Sequence, residues 1–227
     1  MRPFPDRDAA SRLSATLADA DREASLEAML AGHDVDTPVW VFGYGSLIWN
    51  PEFAFDRKAR GRVFGYHRSL CLWSHVYRGT PERPGLVLGL ERGGSVHGVA
   101  FRIPAPTVRH LRALWKRELV TGSYLPRWLD VRLAPEAAGA AGETVRAIGF
   151  VIDRHDPGYA GTLDRHTLLE TVCGAHGRNG SCADYVLFTV QSLAEHHIYD
   201  RHLATLAEEV GAKIALPRHA EPLDRMA

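Results

Sequence analysis

Residues 39–50 read VWVFGYGSLIWN, and the architecture is decided where this run changes character. Val39 and Val41 alternate with Trp40 and Phe42, the pattern of a buried strand. The strand then breaks into Gly43-Tyr44-Gly45-Ser46. Two glycines around a tyrosine let the backbone turn sharply and approach a ligand closely. Successive free N–H groups in such a turn form a small anion-binding nest, suited to a carboxylate or a developing oxyanion. Taken by itself, a strand ending in a tight turn accounts for these residues; the case for a site comes from what accompanies them.

Upstream, residues 10–32 carry Leu13, Leu17, Ala20, Ala24, Met29 and Leu30 at near-helical spacing, with Ser11 as N-cap and Gly32 as terminator. The stripe is thin, as for a helix lying on the outside of a domain. Downstream, strands are expected over 39–44, 62–73, 85–90, 96–103, 127–133 and 144–153, with Arg92-Gly93-Gly94-Ser95 as a hairpin turn. Thr107 caps an expected helix to about Val120, and three more helices are expected over 164–174, 182–195 and 198–210. Residues 134–142 read as a surface loop, and 1–8 and 217–227 as frayed ends. About six short strands around one central helix predict an α+β domain: a small mixed β-barrel with surrounding helices. The βαβ rhythm of a doubly wound fold is missing.

At 227 residues the chain is one domain, or one domain with an appendage. A domain of this size buries roughly 70% of its unfolded surface and needs no staples. Lys plus Arg and Asp plus Glu each number 27, so nothing points to nucleic acid or another polyanion. The three cysteines, Cys71, Cys173 and Cys182, lack metal-like spacing and read as buried thiols of a reducing compartment. The start MRPFPDRDAASRL has no apolar core, and no apolar run approaches ~18 residues, so neither a signal peptide nor a membrane span is expected. A cytoplasmic setting follows as the expectation.

One carboxylate is out of place. In TVRHLRALWKRELV (107–120) the apolar stripe is Val108, Leu111, Leu114, Trp115 and Leu119. Glu118 stands seven residues after Leu111, four after Leu114 and three after Trp115, on the stripe's own face. A carboxylate there is either paired or at the edge of a cavity, where desolvation raises its pKa toward the range useful for proton transfer. The plain alternative is that Glu118, in the last turn, reaches solvent. Arg117 is expected to point elsewhere, as a surface or ion-pair residue. Gly122-Ser123-Tyr124 follows as a second Gly-bearing turn.

The segments VFGYGSLIWNP, GRVFGYHRSLCLWS, RGTPERPGLVLGLERGGSVHGVAFRIP, LWKRELVTGSYLPRW and GRNGSCADYVLFTVQSL, in this order, closely resemble the ChaC-type γ-glutamylcyclotransferases. The resemblance covers about Val39 to Leu193; the first 38 residues are similar to those of longer bacterial members and carry no motif. It implies a small β-barrel surrounded by helices. The implied activity is cofactor-free and metal-free cleavage of glutathione to 5-oxoproline and cysteinylglycine. Residues 39–216 would form that domain, after a 1–38 extension with its amphipathic helix. The family's catalytic acid lies in an Arg-Glu motif, matched here by Arg117-Glu118, so stripe and resemblance choose the same residue. The γ-glutamyl group would be held by the run Val41, Phe42, Gly43, Tyr44, Gly45, Ser46 and Leu47, chiefly through backbone amides, with Tyr185 nearby. Ser123 stands where many relatives have Gly.

Arg78 and Arg68 are the cations best suited to meet substrate carboxylates, since Arg grips a carboxylate with two parallel bonds. Surface ion pairing serves each equally well. His67 and His75 read as hydrogen-bonded structural residues, and the remaining histidines show no metal-like pairing. Three other readings remain at this point. One is a cyclotransferase for other γ-glutamyl amino acids or amines. Another is a thiol enzyme built on Cys71 with His67 or His75, which would share one face of a strand. The last is a non-catalytic γ-glutamyl-binding module.

Overall fold

The computed structural model of the protein describes residues 16–34, 36–135 and 142–215. Its elements are α1 (Asp19–Leu30), β1 (Val39–Gly43), a 3-10 turn (Ser46–Ile48), β2 (Arg57–Ser74), β3 (Gly85–Ile103), α2 (Val108–Glu118), β4 (Tyr124–Leu133) and β5 (Thr144–Ile152). They continue with α3 (Arg165–Gly174), a two-stranded ribbon of β6 (His176–Gly177) and β7 (Gly180–Ser181), α4 (Cys182–Glu195) and α5 (Arg201–Ala215). The five long strands close into a barrel in the order β1-β3-β2-β4-β5. Neighbours are antiparallel except at the seam, where β1 runs parallel to β5 with Trp40 opposite Ala147 and Val41 opposite Ile148.

β1 explains its own sequence. Both of its faces are covered, so nearly every position is apolar. Val39 and Val41 pack with Leu26, Leu111, Trp115 and Ile148, in a core shared with α1 and α2. Phe42 belongs to the other core, with Leu88, Val99, Tyr185 and Leu206. Leaving ~150–250 Å² of an aromatic side chain buried makes these packed positions the main source of stability.

Two expectations change. The Arg92–Ser95 segment is not a hairpin turn: β3 runs unbroken through it beside β2. Phe64 pairs with Ser95 and Tyr66 with Arg92, so Gly65 opposes the two residues Gly93 and Gly94. All three glycines have positive φ, at 83°, 106° and 71°. The glycines therefore build a bulge that bends a long ribbon, which the same residue types serve as readily as a reverse turn. Thr107 stands at the start of α2 but makes no side-chain cap bond. Two later helices are capped by side chains, with Asp164 accepting from Thr167 N–H at 2.9 Å and Ser181 accepting from Asp184 N–H at 2.9 Å. The helix expected over 10–32 is described from Asp19, its earlier part and the 1–8 and 217–227 ends lying outside the described residues.

α1 lies across α2. The Arg112 guanidinium pairs with Glu23 at 2.6 Å, the Trp115 indole donates to Ser25 Oγ at 3.2 Å, and the Trp128 indole donates to the Met29 carbonyl at 3.2 Å. Leu17 N–H donates to the Val120 carbonyl at 2.7 Å, which brings the preceding Thr16 to the rim of a cavity. Among the described residues no helix is long and apolar enough to cross a membrane.

Candidate active site

The end of β1 delivers the chain into a cavity of about 980 Å³, whose walls include Tyr44–Leu47, Trp49, Arg78, Glu118, Tyr124 and Tyr185. Gly45 stands at the head of the 3-10 turn, against Tyr185. A Cβ there would lie 3.2 Å from the Tyr185 hydroxyl. A side chain at position 45 would need the Tyr185 hydroxyl to give way by a few tenths of an ångström. The chain then enters the 3-10 turn, whose first closing bond runs from Ile48 N–H to Gly45 O at 3.0 Å. The amides of Ser46 and Leu47 precede that bond, where a short helix has no internal acceptor for them.

Glu118 is the last residue of α2. Leu111, Leu114 and Trp115 on its face are buried, while its own side chain, 14% exposed, opens on the cavity. Burial raises its carboxyl above the ordinary glutamate value; Arg117 opposes the rise and Glu52 adds to it. Arg117 does not point away. Its Nε lies 3.1 Å from Glu118 Oε1, its Nη1 lies 3.2 Å from Glu52 and also meets the Asn50 carbonyl, and its Nη2 donates to Ser46 Oγ at 3.2 Å. One guanidinium thereby ties the acid to the Gly-Tyr-Gly-Ser loop.

The opposite support of the loop is Arg68. Its Nε donates to the Tyr44 carbonyl at 2.6 Å, its Nη2 donates to His97 O at 2.6 Å, and its Nη1 pairs with Asp200. Arg68 is outside the cavity lining and serves as a clamp on the loop, not as a cation aimed at ligand. The Tyr44 hydroxyl donates to Phe150 O at 2.7 Å, fixing the loop to β5.

Tyr185 accepts from Leu88 N–H at 3.1 Å, and burial pushes its phenol well above the ordinary range. It is a neutral hydroxyl beside Gly45. Arg78 stacks over Tyr185 and Trp49, its guanidinium carbon 5.4 and 5.8 Å from the ring centroids, and donates to the carbonyls of Asn179 and Ser181. It lines the cavity while anchored to the β6–β7 ribbon. Tyr124 donates to Leu88 O at 2.6 Å. Ser123 is buried, its hydroxyl donating to Asp156 Oδ1 at 3.0 Å.

Three residues of the expected binding run are elsewhere. Val41, Phe42 and Gly43 lie in the strand below the loop, the first two fully buried in the cores, and none lines the cavity. Strand alternation gives their side chains to packing. Residues missed in the sequence are Trp49, Glu52, Arg117, Tyr124 and Asn179, all of which line the cavity. For Tyr124 the signal was present, in the Gly-bearing turn just after Glu118.

The thiol reading fails on geometry. Cys71 is fully buried, outside the cavity, and its thiol is pushed up to about 12 by burial. β2 shifts register between Leu70 and Leu72, so positions 67, 71 and 75 do not share a regular face. His67 hydrogen-bonds the Gly93 carbonyl at 3.1 Å, away from the site. Among the described residues no group of three or more His, Cys, Asp or Glu gathers to hold a metal.

A closed barrel with this loop at its end is the γ-glutamylcyclotransferase fold. A solved yeast γ-glutamylcyclotransferase specific to glutathione superposes with a TM-score of 0.70 over 78% of this chain and 96% of that one, at 21% identity. The sequence places it further: the ChaC-like protein family matches residues 39–213, and the chain belongs to it. It is 38% identical over 195 residues to the glutathione-specific γ-glutamylcyclotransferase of Escherichia coli, covering 86% of this chain and 82% of that protein. It is 30% identical over 181 residues to the human glutathione-specific γ-glutamylcyclotransferase 1, covering 78% of this chain and 80% of that one.

Proposed function

We propose that this protein cleaves glutathione to 5-oxoproline and cysteinylglycine, with Glu118 as general acid and base. The observation that carries the reading is a buried carboxylate, its pKa raised by burial, bound through Arg117 to the Gly-Tyr-Gly-Ser loop at the wall of a ligand-sized cavity. The named relatives are glutathione-specific enzymes, and the chain spans about four fifths of each.

The substrate brings its own nucleophile. The α-amine of the γ-glutamyl group attacks the γ-carbonyl carbon and closes a five-membered lactam, so the site mainly has to hold a near-attack geometry. At neutral pH the amine is an ammonium and must first lose a proton. The Glu118 carboxylate accepts it, the C–N bond forms, and the carbonyl oxygen becomes an oxyanion. Collapse breaks the bond to the cysteinyl nitrogen, which receives that proton from Glu118; the Glu118 carboxylate then takes the second proton from the ring nitrogen, leaving a neutral lactam, and passes it on to make the departing amine an ammonium. No water is consumed. Such proton transfer contributes ~10²–10⁴-fold. The amides of Ser46 and Leu47 are placed to stabilise the substrate carboxylate or the oxyanion. Val41, Phe42 and Gly43 act beneath the loop, while Tyr44, Gly45, Ser46, Leu47, Arg78 and Tyr185 form the walls against which the γ-glutamyl group packs.

The test is incubation of the purified protein with millimolar glutathione and mass spectrometry of the products, beside a Glu118→Gln control. Product from the wild type alone supports the reading. Product from both removes Glu118 from its role, and product from neither removes glutathione as substrate.

A further inference from the structure

Among the described residues, His75 alone has buried side-chain polar atoms with no hydrogen-bond partner, and both ring nitrogens are in that state. The residue is 6% exposed and lines the cavity. Buried polar groups are nearly always satisfied, and leaving one unmade costs ~1–3 kcal/mol. Burial also lowers the pKa of this imidazole, so at neutral pH it is uncharged, with one N–H donor and one lone-pair acceptor.

His75 is held on a different wall from Glu118. It follows the last residue of β2, in a loop that is bonded on both sides. Trp73 N–H donates to Gly158 O at 2.9 Å, and Arg78 N–H donates to Ser74 Oγ at 3.0 Å. The ribbon turn completes the support, with Arg178 N–H on Val76 O at 2.8 Å and Asn179 N–H on Tyr77 O at 2.9 Å. A bonded loop that sets an unpartnered imidazole among the residues lining a cavity is a recognition element. Arg78 and Arg178 line the same cavity and make this wall cationic.

The γ-glutamyl end of glutathione is accounted for by Glu118 and the loop. A cavity of about 980 Å³ is at the upper end of the ~300–1,000 Å³ of ligand pockets, so space remains for the rest of the tripeptide. The glycyl unit at the far end offers an N–H donor and a carboxylate acceptor. A neutral imidazole can pair with either function through one of its nitrogens, donating to the carboxylate or accepting from the N–H. We propose that His75 binds the glycyl unit of the departing cysteinylglycine and so selects γ-glutamyl dipeptides over γ-glutamyl amino acids. This rests on the glutathione reading above.

The experiment is calorimetric binding to Glu118→Gln and to the double variant Glu118→Gln/His75→Phe, with glutathione and with γ-glutamylcysteine, which lacks the glycyl unit. The expected result is a ~10–100-fold loss of glutathione affinity on removing the imidazole, with γ-glutamylcysteine affinity within about twofold. Partial recovery with His75→Gln, which restores a donor and an acceptor, is expected too. Equal losses for both ligands, or none for either, overturn the proposal. Should the double variant fold poorly, the ring-nitrogen resonances of His75 in Glu118→Gln decide: a shift with glutathione but not with γ-glutamylcysteine supports it, and unmoved resonances overturn it. Binding without turnover by the wild type would instead refute the reaction and leave the subsite standing.

Discussion

Arg117 and Glu118 are adjacent in sequence and partners in the cavity, with Nε of one 3.1 Å from Oε1 of the other. Adjacent helical residues normally diverge by about 100°. Here the last turn of α2 and the length of the arginine side chain let them meet at the helix end, where the same guanidinium also reaches Ser46.

Arg117 therefore sets the pH at which the acid works. Burial raises the Glu118 pKa and Arg117 holds it down, and in the proposed mechanism the carboxylate accepts the ammonium proton. In Arg117→Met the rising limb of kcat/KM against pH should move to higher pH. An unmoved limb would mean that another group takes the proton.

Glu118→Gln should cost ~10²–10⁴-fold in kcat while glutathione still binds. It should also stabilise the fold. The folded pKa lies above the ordinary 4.5, so the native state holds its proton more tightly and loses stability as pH rises through that window. The variant should melt higher than wild type at pH 8, with the gap narrowing as pH falls below the folded pKa of Glu118. A lower melting temperature at pH 8 would contradict the assigned shift.

Arg68→Met removes the clamp on the Tyr44 carbonyl and leaves Asp200 without its partner. The Arg68 side chain is 3% exposed, so the loss should be about 3 kcal/mol in urea unfolding, with KM for glutathione raised as the loop loosens. A surface ion pair would give under ~1 kcal/mol.

Cys71 and Cys182 should resist alkylation in the native protein at pH 8, because burial pushes their thiols up to about 12 and about 11. Cys71→Ala should retain turnover. Rapid labelling of Cys71, or loss of activity with it, would reopen the thiol route.

The parts of the fold legible in the sequence are those with a period. The stripe of α2 located Glu118, and the helix expected over 182–195 stands at Cys182–Glu195. What could not be read depends on partners distant in the chain. Whether Arg92–Ser95 turns or bulges depends on what opposes it, and Gly65 does. Whether Arg68 or Arg78 faces a ligand depends on which carbonyls compete for the guanidinium. Helical spacing alone turns Arg117 away from the site because it ignores the reach of a long side chain at a helix end. The missing hydrogen bonds of His75 have no sequence signature, since they are a property of its surroundings.

The barrel seam joins β1 to β5, and the hydroxyl of Tyr44 finds its acceptor 106 residues further along the chain. During synthesis the Gly-Tyr-Gly-Ser loop leaves the ribosome early, and its supports from Arg68 and Arg117 follow, but its hydroxyl tie to the barrel wall waits until β5 has emerged. Contacts this remote are slow to form, and the uncovered edge of β1 is an aggregation hazard in the interval. Catalytic competence is thus among the last properties this polypeptide acquires, and a nascent chain stopped before β5 holds the loop sequence without its function.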